Sequence, residues 1–179
     1  MLYLQKLVEK LLPLLKPELK NISFLLVLVF IGLLLSITNY VPGTWLSGWD
    51  TLQPEFNFLL YFKRIFFGVW QEHQGLGAIA VQAHVSELPR MLLYFPVSLL
   101  LPDSFLRYFY FFVTLVVGPV GVYFFLNKIL SRSIPDFRKK AVSSSGALLY
   151  LLNPGTLQQY YVPLEMFATH FATLPWLFL

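Results

Sequence analysis

The residues that could do chemistry gather in one region of the chain. Asp50 follows Trp45 and Trp49 in the run GTWLSGWDTLQPEFNF, and Glu55 comes five residues later. A carboxylate beside a bilayer exit is what a lipid-linked sugar donor needs. It can deprotonate an acceptor hydroxyl, or help hold a divalent cation (Mg or Mn) on the phosphate leaving group. Indoles can stack on sugar faces and anchor at headgroup level. Asp50 also reads as an ordinary cap, since Gly48, Thr51 and Pro54 make a turn and helix start around it. Composition alone favours that capping role. Glu165 stands behind Pro163 at the outer mouth of a candidate span, where an ionisable residue is a functional candidate by default. Its other reading is a helix N-terminal carboxylate stabilised by the helix dipole, and the two weigh equally.

Other polar residues point elsewhere. Glu72, His73, His84 and Glu87 lack any tight ligand spacing and read as solvated loop residues rather than a metal cluster. The string GLGAIA at 75–80 resembles a dinucleotide fingerprint but follows no strand pattern. Lys63 and Arg64 could clamp a phosphate, but snorkelling from an interfacial helix is the favoured reading. His170, five residues after Glu165, does not share its face well and reads as a packed core histidine.

The elements that must position these residues are apolar. Of 179 residues, 57% are hydrophobic, 18% aromatic and only 12% charged, against about 25% charged in ordinary soluble domains. That balance argues against a soluble enzyme, a disordered tail and a disulfide-stapled secreted module. Cysteine is absent, so there is no disulfide framework or thiolate metal site. The net charge of +4 is dispersed, which argues against a nucleic-acid partner and reads instead as membrane topology.

Residues 1–20 form an amphipathic leader broken by Pro13 and Pro17, with Lys6, Lys10, Lys16 and Lys20 placing the N-terminus in the cytoplasm. Residues 22–40 form an uncleaved first span, because no small-residue cleavage site follows the apolar run. An outer loop covers 41–105, with an interfacial helix through FLLYFKRIFFGVW that ends at Trp70. The second span is 106–127 and tolerates Gly118, Pro119 and Gly121 in its interior. A basic cytoplasmic loop runs 128–140. A third span covers 141–160, with Ser143, Ser144, Ser145 and Gly146 suited to close helix packing and an exit near Asn153 or nearer Tyr161. Residues 165–179 start a fourth span, which reads as cut short, so the chain is expected to be an N-terminal fragment that is inactive alone. The apolar stretch 91–102 carries Pro96 and is only 12 residues long. Kept in the outer interface, it leaves nine of 13 basic residues inside, so it is expected not to cross.

The order of these elements resembles the start of a GT-C glycosyltransferase, and more narrowly the N-terminal membrane region of the α-(1→3)-arabinofuranosyltransferase-like family. The residues carrying the likeness are Asp50-Thr51, Trp70, Gly77, Gln82-Ala83, Pro89, Arg107, Gly118, Gly121, Leu149-Tyr150, Asn153-Pro154, Glu165 and Pro175-Trp176, over about residues 40–179. The resemblance implies an all-α polytopic membrane protein with a long exoplasmic first loop containing interfacial helices. It implies a multi-pass protein of the plasma membrane that moves a sugar, with arabinofuranose as the family's sugar. The donor would be a polyprenyl-phosphate-linked sugar and the acceptor an extracytoplasmic glycan or glycolipid. Asp50 and Glu165 are then the catalytic acids, and Trp49, Glu55, Trp70, Gln82 and Arg107 the substrate-binding candidates. Around Asp50 the sequence reads WDTLQPE, without an Asp-x-Asp pair; if a cation is held, Asp50 is its ligand. A transporter or lipid flippase, or a non-catalytic membrane scaffold, are the rival readings.

Overall fold

The structure, a computed structural model, describes residues 22–48, 53–68, 70, 77, 84–130 and 135–179, with the side chains of 22, 157–159 and 161 left aside. Among the described residues every regular element is helical and no strand occurs. The elements are α1 (Ile22–Thr38), a 3-10 turn (Pro54–Phe56), α2 (Phe58–Phe67), α3 (Leu88–Ser98), α4 (Asp103–Ile129), α5 (Asp136–Leu152), α6 (Pro154–Tyr161) and α7 (Glu165–Leu177). They fall into two compact units, one of Val41–Tyr110, the other of Met1–Tyr40 with Phe111–Leu179. Helix α4 gives its first two turns to the former and the rest to the latter.

Length decides which helices can cross a bilayer. At 27 residues and 1.5 Å per residue, α4 is the one described helix long and apolar enough to span. It begins at Asp103, earlier than the expected 106, and runs through Pro119 without a break. Helix α1 is uncharged but has 17 residues, and the leader before it (1–20) lies outside the described residues. Helix α3 has 11 residues, about half of what a span requires.

In the unit of Met1–Tyr40 and Phe111–Leu179, α1 packs on α5. Leu28, Tyr123 and Ala147 form the core there, with Phe24, Leu25, Val122, Phe124 and Leu148 around them. Small residues permit the approach: Ser143 and Ala147 are fully buried, and Gly146 meets the Leu126 side chain. The expected loop 128–140 is shorter than the sequence implied. Helix α5 starts at Asp136, so Arg138, Lys139 and Lys140 lie on its first turns, and Lys140 pairs with Asp136 one turn earlier at 2.7 Å. Residues 131–134 lie outside the described set.

Pro154 ends α5, because the residue before a proline is pushed towards extended backbone, and Asn153 has ψ 148. The same Asn153 then caps α6: its Oδ1 accepts the Thr156 N–H at 3.0 Å, with Pro154 as the first helical residue. The expected single span over 141–160 is therefore two helices with a corner at Asn153. Helix α7 buries Glu165, Ala168, Phe171, Ala172 and Pro175, a single stripe at helical spacing. His170 lies off that stripe and is exposed, which corrects its reading as a packed core residue.

In the unit of Val41–Tyr110, α2 and α3 pack through Tyr61, Ile65 and Met91, with Phe95 edge-on to Phe58 and Phe62 at 6.0 and 5.8 Å. Asn57 caps α2 by accepting the Leu60 N–H at 2.9 Å. The helix closes at Gly68, whose N–H reaches the Arg64 carbonyl at 3.0 Å. Trp70 thus lies beyond the helix rather than at its end, a correction to the expected boundary. The turn Pro54–Phe56 is preceded by Gln53, which makes no side-chain cap. Leu59, Phe66 and Phe67 on α2 stay exposed, as do Leu99 and Leu100 just before α4.

Candidate functional site

The densest polar chemistry in the unit of Val41–Tyr110 sits at the start of α4. Arg107 lies one turn into that helix with 1% of its side chain exposed. Its Nε is 3.2 Å from Glu55 Oε1, and Glu55 is equally buried at 2%. Its Nη1 also donates to the Leu46 carbonyl at 3.4 Å. The planar guanidinium presents donors in a rigid fork, so one side chain can hold two acceptors together. Glu55 is delivered by the 3-10 turn, which Pro54 starts by supplying a fixed φ and no stray N–H. Burying the two charges is costly. Their attraction and hydrogen bonds offset that cost only while both are present, and removing one partner typically costs about 3–5 kcal/mol.

Two further contacts flank the ion pair. Thr44 Oγ1 and the Tyr108 hydroxyl are 2.8 Å apart, and the Trp45 and Phe56 rings lie 4.7 Å apart at 35°. Residues 44–46 and 55–56 are thus drawn to residues 107–108 at the head of the spanning-length helix.

A second polar cluster lies between α2 and α3. His84 is 1% exposed, with its ring edge-on to Tyr61 at 5.1 Å. This corrects the reading of His84 as a solvated loop residue: it starts the turn into α3 and packs under α2. Glu87 forms an ion pair with Arg90, whose guanidinium lies 5.5 Å from the Tyr94 ring centre, a cation–π arrangement. Trp70 seats its indole on Gly77, which has φ +99, a conformation that favours glycine.

Of the site residues expected from sequence, the structure brings Glu55 and Arg107 into contact. Trp70 meets Gly77 at a separate place and is exposed. Glu165 is the first residue of α7, 6% exposed, and belongs to the other unit; its carbonyl accepts the Thr169 hydroxyl at 2.6 Å. Trp49, Asp50 and Gln82 lie outside the described residues, as do Glu72 and His73. Among the described residues no group of three or more His, Cys, Asp and Glu side chains could hold a metal ion. Glu55, with its carboxylate turned to Arg107, does not fit a cation ligand.

Sequence reading missed the partners of Arg107. Leu46 enters through a backbone carbonyl, which carries no residue-type signal, and Thr44 and Tyr108 look like ordinary loop and span residues. No family model, curated protein or solved structure matches the chain.

Proposed function

We propose that this chain belongs to an integral-membrane glycosyltransferase of the GT-C type. It would transfer a sugar, arabinofuranose by the family resemblance, from a polyprenyl-phosphate donor to a glycan or glycolipid outside the cytoplasm. The observation that carries this reading is the tie between Arg107, in the second turn of the one described helix of spanning length, and Glu55, five residues after Asp50. Chain length alone keeps Asp50 within about 17 Å of Glu55. A carboxylate candidate is thereby tethered at the end of a helix of membrane-crossing length, where a prenyl tail can lie in lipid while its phosphate reaches the surface.

The apolar short helices support the same reading. Leu59, Leu60, Phe66 and Phe67 line an open groove along α2 together with Lys63, and Leu99 and Leu100 are exposed beside the head of α4. Such surfaces suit an interfacial loop, with Lys63 reaching towards headgroups. In this scheme Asp50 takes the proton from the acceptor hydroxyl as it attacks the anomeric carbon, the phosphate leaves, and the sugar centre inverts. Glu165 is the second candidate acid. No step is routed through a divalent cation. The transporter reading draws no support from Gly118-Pro119-Val120-Gly121, because α4 runs unbroken there and both glycines serve packing.

The test is Asp50→Asn in the full-length protein in its membranes, given a radiolabelled polyprenyl-phosphate arabinofuranose. Loss of transfer by about 10²-fold or more, as for removal of a general base, is expected. Transfer at the unmodified rate would remove Asp50 from the mechanism.

A further inference from the structure

Helix α2 turns its two faces to different surroundings. Tyr61 and Ile65 pack on Met91 of α3. The opposite face carries Leu59, Leu60, Lys63, Phe66 and Phe67, all exposed; Leu59 and Phe67 keep 83% and 79% of their surface open. On a helix the neighbours of a residue are those three and four positions away. For Lys63 these are Leu60 and Leu59 one turn before, and Phe66 and Phe67 one turn after. Lys63 therefore stands at the centre of an apolar face, ringed by four large side chains. On an ordinary surface-lying helix the cations gather on the polar face, away from the apolar one.

The ring and the cation line one open groove of about 450 Å³, and among its described lining residues Lys63 alone is charged. Grooves that hold small ligands measure about 300–1,000 Å³. Apolar surroundings lower the local dielectric, so an anion meeting Lys63 there is held more strongly than at an open, wet surface. A phosphate group supplies that anion. The apolar residues form two ridges along the helix, Leu59 with Phe66 on one side of Lys63 and Leu60 with Phe67 on the other. A diacyl lipid has one chain for each ridge, whereas a single prenyl chain leaves one ridge in water. A zwitterionic headgroup would bring a second cation towards Lys63. We infer that the α2 groove binds one anionic phospholipid, with its phosphate on Lys63 and its two acyl chains along the ridges. The inference takes the membrane setting from the function proposed above and nothing from sugar transfer.

The experiment uses the full-length protein in uncharged maltoside micelles. Phosphatidylglycerol carrying a diazirine on an acyl chain is titrated in, and after irradiation the cross-links within residues 57–67 are quantified by peptide mass spectrometry. Unlabelled phosphatidylglycerol, phosphatidylcholine and polyprenyl phosphate serve as competitors. The variants are Lys63→Gln, Phe66→Ala and Phe67→Ala, with Arg138→Gln, an exposed cation of α5, as the control for overall charge. Every altered side chain is exposed, and helical ellipticity checks that each variant folds.

Cross-linking in 57–67 should saturate in the parent. Half-saturation should rise about tenfold in Lys63→Gln, as for loss of a charge-assisted contact. It should also rise about tenfold in each phenylalanine variant, as for loss of a buried apolar side chain, and stay unchanged in Arg138→Gln. Phosphatidylcholine should compete about tenfold less well than phosphatidylglycerol. Unchanged cross-linking in Lys63→Gln overturns the site, as does equal competition by the two phospholipids. An Arg138→Gln loss as large as that of Lys63→Gln reduces the effect to net charge and overturns it. Stronger competition by polyprenyl phosphate makes the groove a prenyl-chain site and overturns the phospholipid. The cross-links are read without sugar transfer, so they decide the lipid site even where the transferase reading fails.

Discussion

Gly118 offers the sharpest prediction about packing. A methyl group there would lie 2.6 and 2.8 Å from two ring carbons of Phe171 and 2.8 Å from its carbonyl oxygen. Ordinary contact begins at 3.4 Å, so the α7 backbone would have to retreat by about 0.6 Å. Phe171 has little room to move, because its ring is stacked on Tyr150 at 4.5 Å and edge-on to Tyr160 at 5.7 Å. Its carbonyl also accepts the Tyr150 hydroxyl at 2.9 Å. Overpacking of this kind costs about 1–3 kcal/mol, and the strained hydrogen bond about 1 kcal/mol more. Alanine's better helix propensity returns up to about 1 kcal/mol. Gly118→Ala should therefore destabilise the protein by about 1–3 kcal/mol, roughly tenfold in the folded population for each 1.4 kcal/mol. The assay is helical ellipticity against SDS mole fraction in mixed micelles. The comparison is Gly155→Ala, whose methyl would face the Asn153 side-chain oxygen at 3.2 Å and should be close to neutral. A Gly118→Ala midpoint equal to the parent's would refute the close α4–α7 contact.

Two more expectations follow from local geometry. Gly77→Ala meets both a positive φ and the Trp70 indole, so it should cost about 1–2 kcal/mol and shift tryptophan emission as Trp70 is displaced; an unaltered spectrum and midpoint would count against that seat. Asn57→Ala removes the side-chain cap of α2 and should cost about 1 kcal/mol, while Asn57→Asp should hold stability near the parent's, both read from thermal midpoints in micelles.

Much of the helical layout was legible because it depends on local signals. The charge-free run after Arg107 announced α4, and the small residues of 143–146 announced the seam of α5, whereas the corner at Asn153-Pro154 fell inside what the sequence presents as one span over 141–160. What was not legible depends on contacts distant in sequence. Glu55 and Arg107 are 52 residues apart, so an acid in a loop and a basic residue flanking an apolar run gave no sign of being partners. His84 and His170 depart from their sequence pattern in opposite directions for a related reason. Near His84 the packing partner Tyr61 comes from another helix, so no local pattern marks it as buried. For His170 a pattern existed: it falls between Ala168 and Ala172 on the far side of the stripe, and strict helical phasing would have placed it outside. The basic run 138–140 has the charge of a loop, but Asp136 in the first turn favours a helix start there.

The measurement that tests the central claim most directly is sugar transfer in sealed vesicles of known sidedness. Vesicles carrying the full-length protein receive radiolabelled polyprenyl-phosphate arabinofuranose and a membrane-impermeant glycan acceptor. The account predicts labelled product in right-side-out vesicles, where the 41–105 segment faces the added acceptor. Product only in inverted vesicles, or none in either, would contradict it.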